Sequence, residues 1–170
     1  IQKSPLESYA AFFVIDIDDF KHVNDSFGHP VGDELLCRLA DRINLISGPD
    51  TCFSRFGGDE FVGMLAGFET AADAETAARQ TLMSLAGTYE VASQSLAVTI
   101  SSGIVINRSH AFDLQQMMIK SDLALYESKV RGKGISTLFA EAMDERYQKR
   151  QRLKADLKKA IRDRHLNVFY

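Results

Sequence analysis

Apolar and polar positions along this chain switch between two periods, and each switch marks an element. Tyr9 to Ile15 is an unbroken run of apolar and β-branched residues ending at Asp16, the pattern of a buried strand with an acid at its C-terminal end. Phe20 to Phe27 has short helical character and stops at Gly28. Pro30 to Ile46 predicts a longer helix, because Leu35, Leu36, Leu39, Ile43 and Ile46 recur at helical spacing before Gly48-Pro49 ends it. Cys52-Phe53-Ser54 and Phe61 to Leu65 read as short strands joined through Gly57-Gly58, a pair able to take positive φ in a tight hairpin. Thr70 to Thr88 predicts an Ala-rich helix with Asp73 and Glu75 near its positive end. Leu96 to Ile106 predicts one strand, and Phe112 to Val130 a helix with Leu114, Met117, Met118, Leu123, Leu125 and Tyr126 mostly inward. Gly132 and Gly134 bracket its end, and Ile135 to Phe139 reads as a last strand.

This order predicts an α/β sandwich, with helices around a central, partly antiparallel sheet. A boundary falls near Phe139. Beyond it, Ala140 to Arg164 predicts a separate helix with Leu153, Leu157 and Ile161 on one face, and Leu166 to Tyr170 alternates weakly, like a strand cut short. The abrupt start at Ile1, just upstream of a strand, leads us to expect a fragment of a longer protein.

Composition narrows the picture. The length of 170 residues suits one domain with a short extension, and 45% hydrophobic with 25% charged residues is normal for a globular protein with a real core. No apolar run approaches the length of a membrane span, and no signal-peptide pattern opens the chain. Cys37 and Cys52 each sit in an apolar pattern, which predicts buried free thiols and a cytosolic compartment. The net charge of −3 is uneven: Glu141 to His165 carries nine Lys/Arg against five acids, leaving the remainder at −7. Acids interspersed in that basic helix, and no interleaved aromatics, favour a solvated face over a nucleic-acid or membrane surface.

Candidate chemistry gathers at the strand ends. Asp16-Ile17-Asp18-Asp19 follows the first strand, and Asp59-Glu60 sits on the hairpin. If the hairpin pairs beside that strand, acids from two places in sequence meet at one sheet end. Such an oxygen-only set suits Mg2+, which takes one or two carboxylates together with water and substrate phosphates, and two metals could serve an in-line displacement at phosphorus. Solvated surface acids are the plainer reading of each one alone. Asn24, Asp25, Gly28, His29, Gly32 and Asp33 have two readings: helix punctuation, or recognition of a guanine edge by the Asn amide and a carboxylate. Lys129, Arg131 and Lys133 either compensate a helix dipole or hold phosphate. His22, His29, His110 and His165 show no metal-ligand spacing, and no P-loop or dinucleotide-type glycine pattern occurs.

Taken together, Asp16-Ile17-Asp18-Asp19-Phe20-Lys21, Asn24-Asp25, Gly28-His29, Gly32-Asp33 and Gly57-Gly58-Asp59-Glu60-Phe61 resemble the GGDEF domain of bacterial diguanylate cyclases. Asp122-Leu123-Ala124-Leu125-Tyr126 leading to Lys129 and Gly132-Lys133 is similar to the family's late motif, so the likeness covers about residues 9 to 139. It implies the palm-like nucleotidyl-cyclase fold, with a mostly antiparallel sheet flanked by helices. It also implies condensation of two GTP molecules into cyclic di-GMP with release of pyrophosphate, in two domains facing each other. By position, Asp16, the Ile17 carbonyl, Asp59 and Glu60 would hold Mg2+ or Mn2+, two ions per GTP site. Asp59 and Glu60 would be catalytic, with Glu60 helping to deprotonate the attacking 3′-hydroxyl. Asn24 and Asp33 would read guanine; Phe20, Lys21, Lys129 and Lys133 would hold the triphosphate; and Gly57 and Gly58 would let the backbone approach the nucleotide.

Three departures stand out. The Arg-x-x-Asp positions of the family's inhibitory product site are Gly48 and Thr51, which predicts no strong product inhibition there. Gly134 replaces the Asn expected after the late Gly-Lys, and the opening helix with its Leu-Thr-Gly-Leu element is missing. Tyr147 to Tyr170, with Leu153 to Leu157 and Leu166 to Tyr170, is similar to the first helix and part of a strand of an EAL phosphodiesterase domain, without any of its catalytic residues. A GGDEF–EAL parent is thereby implied. Two roles remain open: an active cyclase, or a silent GTP-binding module that adjusts an attached EAL phosphodiesterase.

Overall fold

The structure, a computed structural model, describes residues 8–111 and 113–162. It separates into two compact units, Ile1–Phe139 and Ala140–Tyr170. Among the described residues the first holds seven strands and four α-helices: β1 (Tyr9–Ile17), α1 (Phe20–Phe27), α2 (His29–Ile46), β2 (Thr51–Gly57), β3 (Glu60–Phe68), α3 (Ala71–Leu85), β4 (Gly87–Val91), β5 (Gln94–Val98), β6 (Ile100–Arg108), α4 (Leu114–Arg131) and β7 (Ser136–Leu138).

Five strands form one sheet in the order β2-β3-β1-β6-β7, antiparallel except for the parallel β6–β7 pair. The position of β1 at the centre explains its continuous apolar run, because both faces must be covered. Ala11, Phe13, Ile15 and Ile17 pack on one side with Leu35, Leu39 and Ile43 of α2 and Ala74, Ala78 and Leu82 of α3. Phe12 and Val14 pack on the other with Val105 and with Met117 and Leu125 of α4. This α+β sandwich is the predicted fold class. Gly63 on β3 makes room for the sandwich core: a Cβ there would stand 2.3 Å from the Phe13 ring, which meets Phe53 edge-on at 5.9 Å.

Four expectations need correction. The strand expected over Leu96 to Ile106 is two, β5 and β6, and the helix expected to reach Thr88 ends at Leu85, leaving β4 to pair with β5. Ala92 and Ser93 close that hairpin at φ 48° and 64°, so a turn normally written with Asn and Gly carries no such signal here. Leu114, expected inward on α4, is 58% exposed. The buried face of α4 is instead Met117, Ser121, Ala124, Leu125 and Ser128. Small residues belong there because the helix backbone closes on Gly103, where a Cβ would lie 1.9 Å from the Ser121 carbonyl oxygen. Finally, Cys37 and Cys52 are free but exposed, one on the outward flank of α2 and the other on the edge strand β2.

The second unit's described element is α5 (Ala142–Arg162), on which Leu153, Leu157 and Ile161 are exposed. The helix start expected at Phe112, the end at Arg164 and the strand over Leu166 to Tyr170 lie outside the described residues.

Candidate functional site: an acid loop and a glycine hairpin at one sheet end

The site begins with strand register. Antiparallel pairing of β1 with β3 sets Asp16 opposite Glu60 and Ile15 opposite Phe61. The Ile17 amide donates to the Asp59 carbonyl at 3.4 Å, so the turn of the hairpin closes directly on the acid loop. Asp16, Ile17, Asp59 and Glu60, separated by more than forty positions in sequence, thus share one sheet end. Burial pushes the Asp16 carboxyl above its ordinary value; the Lys129 ammonium pulls it back, and the negative charges of Asp59 and Glu60 push it further up.

Of the two hairpin glycines only Gly58 has positive φ, at 55°; space is open within 4 Å of a Cβ at either. The turn is held by Arg55, whose Nε and Nη2 donate to the Gly58 carbonyl at 3.0 and 2.7 Å. Sequence reading gave Arg55 no role; only the folded hairpin brings its guanidinium back across the turn.

Asp18 is the second residue that sequence reading undervalued. It groups with the solvated acids on paper but is buried, and its carboxylate accepts from Thr99 Oγ1 at 2.9 Å, Ser101 Oγ at 2.7 Å and the Gly134 amide at 2.9 Å. Those bonds tie the loop after β1 to β6 and to the turn after α4. In that turn Gly132, Lys133 and Gly134 have φ of 125°, 64° and 64°, a conformation free of cost for the two glycines and unfavourable for Lys133. An acid between Ile17 and Asp19 gives no hint of this role; the Thr99-x-Ser101 donors beside the β5–β6 junction are its trace in the sequence.

With that turn fixed, the basic residues meet the acids. Lys129 Nζ donates to Asp16 Oδ2 at 2.5 Å, and Lys133 Nζ to Asp19 Oδ1 at 2.7 Å. The bond to Lys133 holds the exposed Asp19 carboxyl below its ordinary value. Among the described residues no three His, Cys, Asp or Glu side chains stand ready as a closed metal cage. The donor set nonetheless fits a hard cation: oxygen ligands only, one carboxylate with its side chain 10% exposed and already holding a positive charge, and two more beside it.

Farther along, Phe20 is buried at the start of α1, so at this point only its main chain faces outward chemistry, while Lys21 is exposed. Asn24 on α1 lies against Gly32 on α2, where a Cβ would stand 1.9 Å from Asn24 Oδ1. The next residue, Asp33, lines a groove of about 440 Å³ between α2 and β2, together with Leu36, Phe53, Arg55 and Phe61. The glycine therefore makes room for the Asn24 side chain at the α1–α2 junction, one position before Asp33. Gly48 and Thr51 form a closed turn instead of a charged site: the Gly48 amide donates to Thr51 Oγ1 at 2.7 Å, and Thr51 Oγ1 donates to the Gly48 carbonyl at 2.9 Å.

A mixed sheet flanked by helices, with acids converging at the end of its central strand, places the molecule in the palm-like α+β class of nucleotide-processing folds. The chain belongs to the GGDEF family: the family's profile, described as the diguanylate cyclase GGDEF domain, matches residues 2–134. It is 32% identical over 160 residues to the bifunctional diguanylate cyclase/cyclic di-GMP phosphodiesterase MucR of Pseudomonas aeruginosa, covering 94% of this chain and 23% of that protein. It is 30% identical over 156 residues to the cyclic di-GMP phosphodiesterase PdeR of Escherichia coli, covering 92% of this chain and again 23% of the relative. Among solved structures, the GGDEF domain of YfiN (TpbB) from Pseudomonas aeruginosa superposes with a TM-score of 0.75 at 29% identity, covering 84% of this chain and 83% of that one. The chain thus spans about a quarter of the length of these curated relatives. Among the described residues no helix is long and apolar enough to cross a membrane.

Proposed function

We propose that this domain is a diguanylate cyclase, condensing two GTP molecules into cyclic di-GMP with release of pyrophosphate. The observation that carries the reading is the register that sets Asp16 opposite Glu60 with Asp59 at the adjoining turn. Asp16, the Ile17 carbonyl, Asp59 and Glu60 would hold Mg2+ or Mn2+, two ions per GTP. Bound there, the cations would offset the charge that builds on the phosphates during displacement.

The chain's own residues do the rest. Asn24 and Asp33 orient guanine, while Lys21, Lys129, Lys133 and the Phe20 main chain hold the triphosphate. Glu60 takes the proton of the attacking 3′-hydroxyl, whose oxygen bonds to the α-phosphorus of the facing GTP as pyrophosphate departs. One domain holds one GTP, so the reaction needs a second GGDEF domain opposite, in a homodimer. GTP supply places the domain in the cytoplasm. We assign no nucleic-acid or membrane contact to this piece, and we read 140–170 as the linker helix and opening of an EAL domain in the parent protein.

The test is incubation of the dimeric parent protein with GTP and Mg2+ and detection of product by mass spectrometry. Cyclic di-GMP that disappears in Asp59→Ala supports the reading; none from the dimer rejects it. The phosphodiesterase names of relatives such as PdeR favour one second reading, a silent GTP-binding module regulating an attached EAL domain. It predicts no product, but GTP-dependent phosphodiesterase activity.

A further inference from the structure

Lys129 is proposed above as a phosphate-holding residue, yet its ammonium is bonded to Asp16, a proposed metal ligand, at 2.5 Å. The Asp16 side chain is 10% exposed and that of Lys129 39%, so the acid is held in the fold while the lysine, on the last turn of α4, has room to move. Asp18 cannot substitute for Asp16, because its carboxylate is committed to Thr99, Ser101 and Gly134. The neighbouring Asp19 is engaged by Lys133 at 2.7 Å. Every acid of the loop is therefore satisfied from within the protein, two of them by lysines.

From this we infer that Lys129 is a specificity-determining residue that makes the acid site discriminate against free divalent cations and in favour of a cation already carried by a nucleotide. A free cation approaching Asp16 has to displace the ammonium bonded there and work against its charge, with no phosphate oxygen to take the place of the carboxylate. A cation arriving on a polyphosphate brings that anion: Lys129 exchanges the carboxylate for a phosphate oxygen, and Asp16 passes to the metal. Charge is balanced in both states, and no carboxylate is left bare at a half-buried site. The inference rests on the metal and phosphate roles proposed above, but it concerns the nucleotide-free protein and is measured without turnover.

The experiment titrates Mn2+ into the nucleotide-free 170-residue chain and follows free Mn2+ by electron paramagnetic resonance. Lys129→Met is expected to bind Mn2+ about ten-fold more tightly than wild type, the scale of one partly screened charge. Lys133→Met removes the same charge but frees only Asp19, and is expected to change affinity much less. Asp16→Asn combined with Lys129→Met is expected to abolish the gain, which locates it. Equal Mn2+ affinity in wild type and Lys129→Met, or equal gains for both lysine variants, overturns the proposal. Should Lys129→Met fail to fold, the wild-type Lys129 Nζ resonance, assigned by its loss in Lys129→Arg, decides the matter. It is expected to stay in place with Mg2+ alone and to move with Mg2+ and a non-hydrolysable GTP analogue; movement with Mg2+ alone overturns the proposal. A wild type that fails to bind the GTP analogue defeats the cyclase reading separately, leaving the Mn2+ comparison standing.

Discussion

Asp18 illustrates how one side chain can set the geometry of others. Its carboxylate accepts three hydrogen bonds, and truncation would leave the Thr99 and Ser101 hydroxyls without that acceptor and the Gly134 amide with only its longer bond to Ser101 Oγ at 3.2 Å. Asp18→Ala is therefore expected to cost about 3 kcal/mol in urea denaturation. Because the Lys133 turn loses its anchor, affinity for GTP should fall more than affinity for guanosine; calorimetry showing equal losses would reduce Asp18 to a purely structural role. Tyr89 offers a pH-dependent counterpart. Its hydroxyl, buried between α3 and α2, donates to the Leu85 carbonyl, and Arg42 stacks on its ring at 3.9 Å. Burial raises its pKa above the ordinary 10.0, against the opposing pull of Arg42. The stabilising contribution is thus complete below about pH 10 and declines as pH rises through the folded-state value. Tyr89→Phe should lose about 1 kcal/mol at neutral pH. Thermal melts should show that deficit shrinking above pH 10, because only the wild type carries the alkaline slope.

Between elements, the decisive contact is α4 on β6. A Cβ at Gly103 would stand 1.9 Å from the Ser121 carbonyl oxygen and 2.4 Å from the Leu125 amide nitrogen, atoms of a helix backbone that cannot rotate away. Gly103→Ala should cost about 3 kcal/mol in denaturant titration, and by lifting α4 it should also weaken phosphate binding through Lys129. Gly32→Ala is the milder case, because its neighbour is the Asn24 side chain. That side chain can turn aside, so the expected result is a preserved fold with reduced guanine selectivity, read as a smaller gap between GTP and ATP affinities. Hydrophobic spacing found α4 but pointed Leu114 inward, since spacing records apolar residues and a close helix–sheet contact is built from small ones.

For the molecule as a whole, the proposed cyclase chemistry needs two facing domains, so on that proposal turnover per domain is expected to rise with protein concentration until dimers saturate. The turn at Gly48 and Thr51 has satisfied its own polar groups and carries no Arg or Asp at those two positions. Added cyclic di-GMP is accordingly expected to leave the initial rate unchanged apart from competition with GTP; tight non-competitive inhibition in a product titration would contradict this.

By itself the sequence determined the alternation of strands and helices, the buried central strand and most of the candidate residues, because period, glycine placement and acid clustering are local properties written along the chain. It also carried the family, through motifs whose order alone is distinctive. Tertiary structure alone decided which acids do which work. Asp16, Asp18 and Asp19 are near-neighbours with the same side chain, yet one faces Glu60 and Lys129, one is buried as an anchor, and one meets Lys133 in solvent. Those roles depend on partners from β3, β6 and the end of α4, all distant in sequence. The electrostatics of a carboxylate are set by what surrounds it, and only the closed sheet brings those surroundings together.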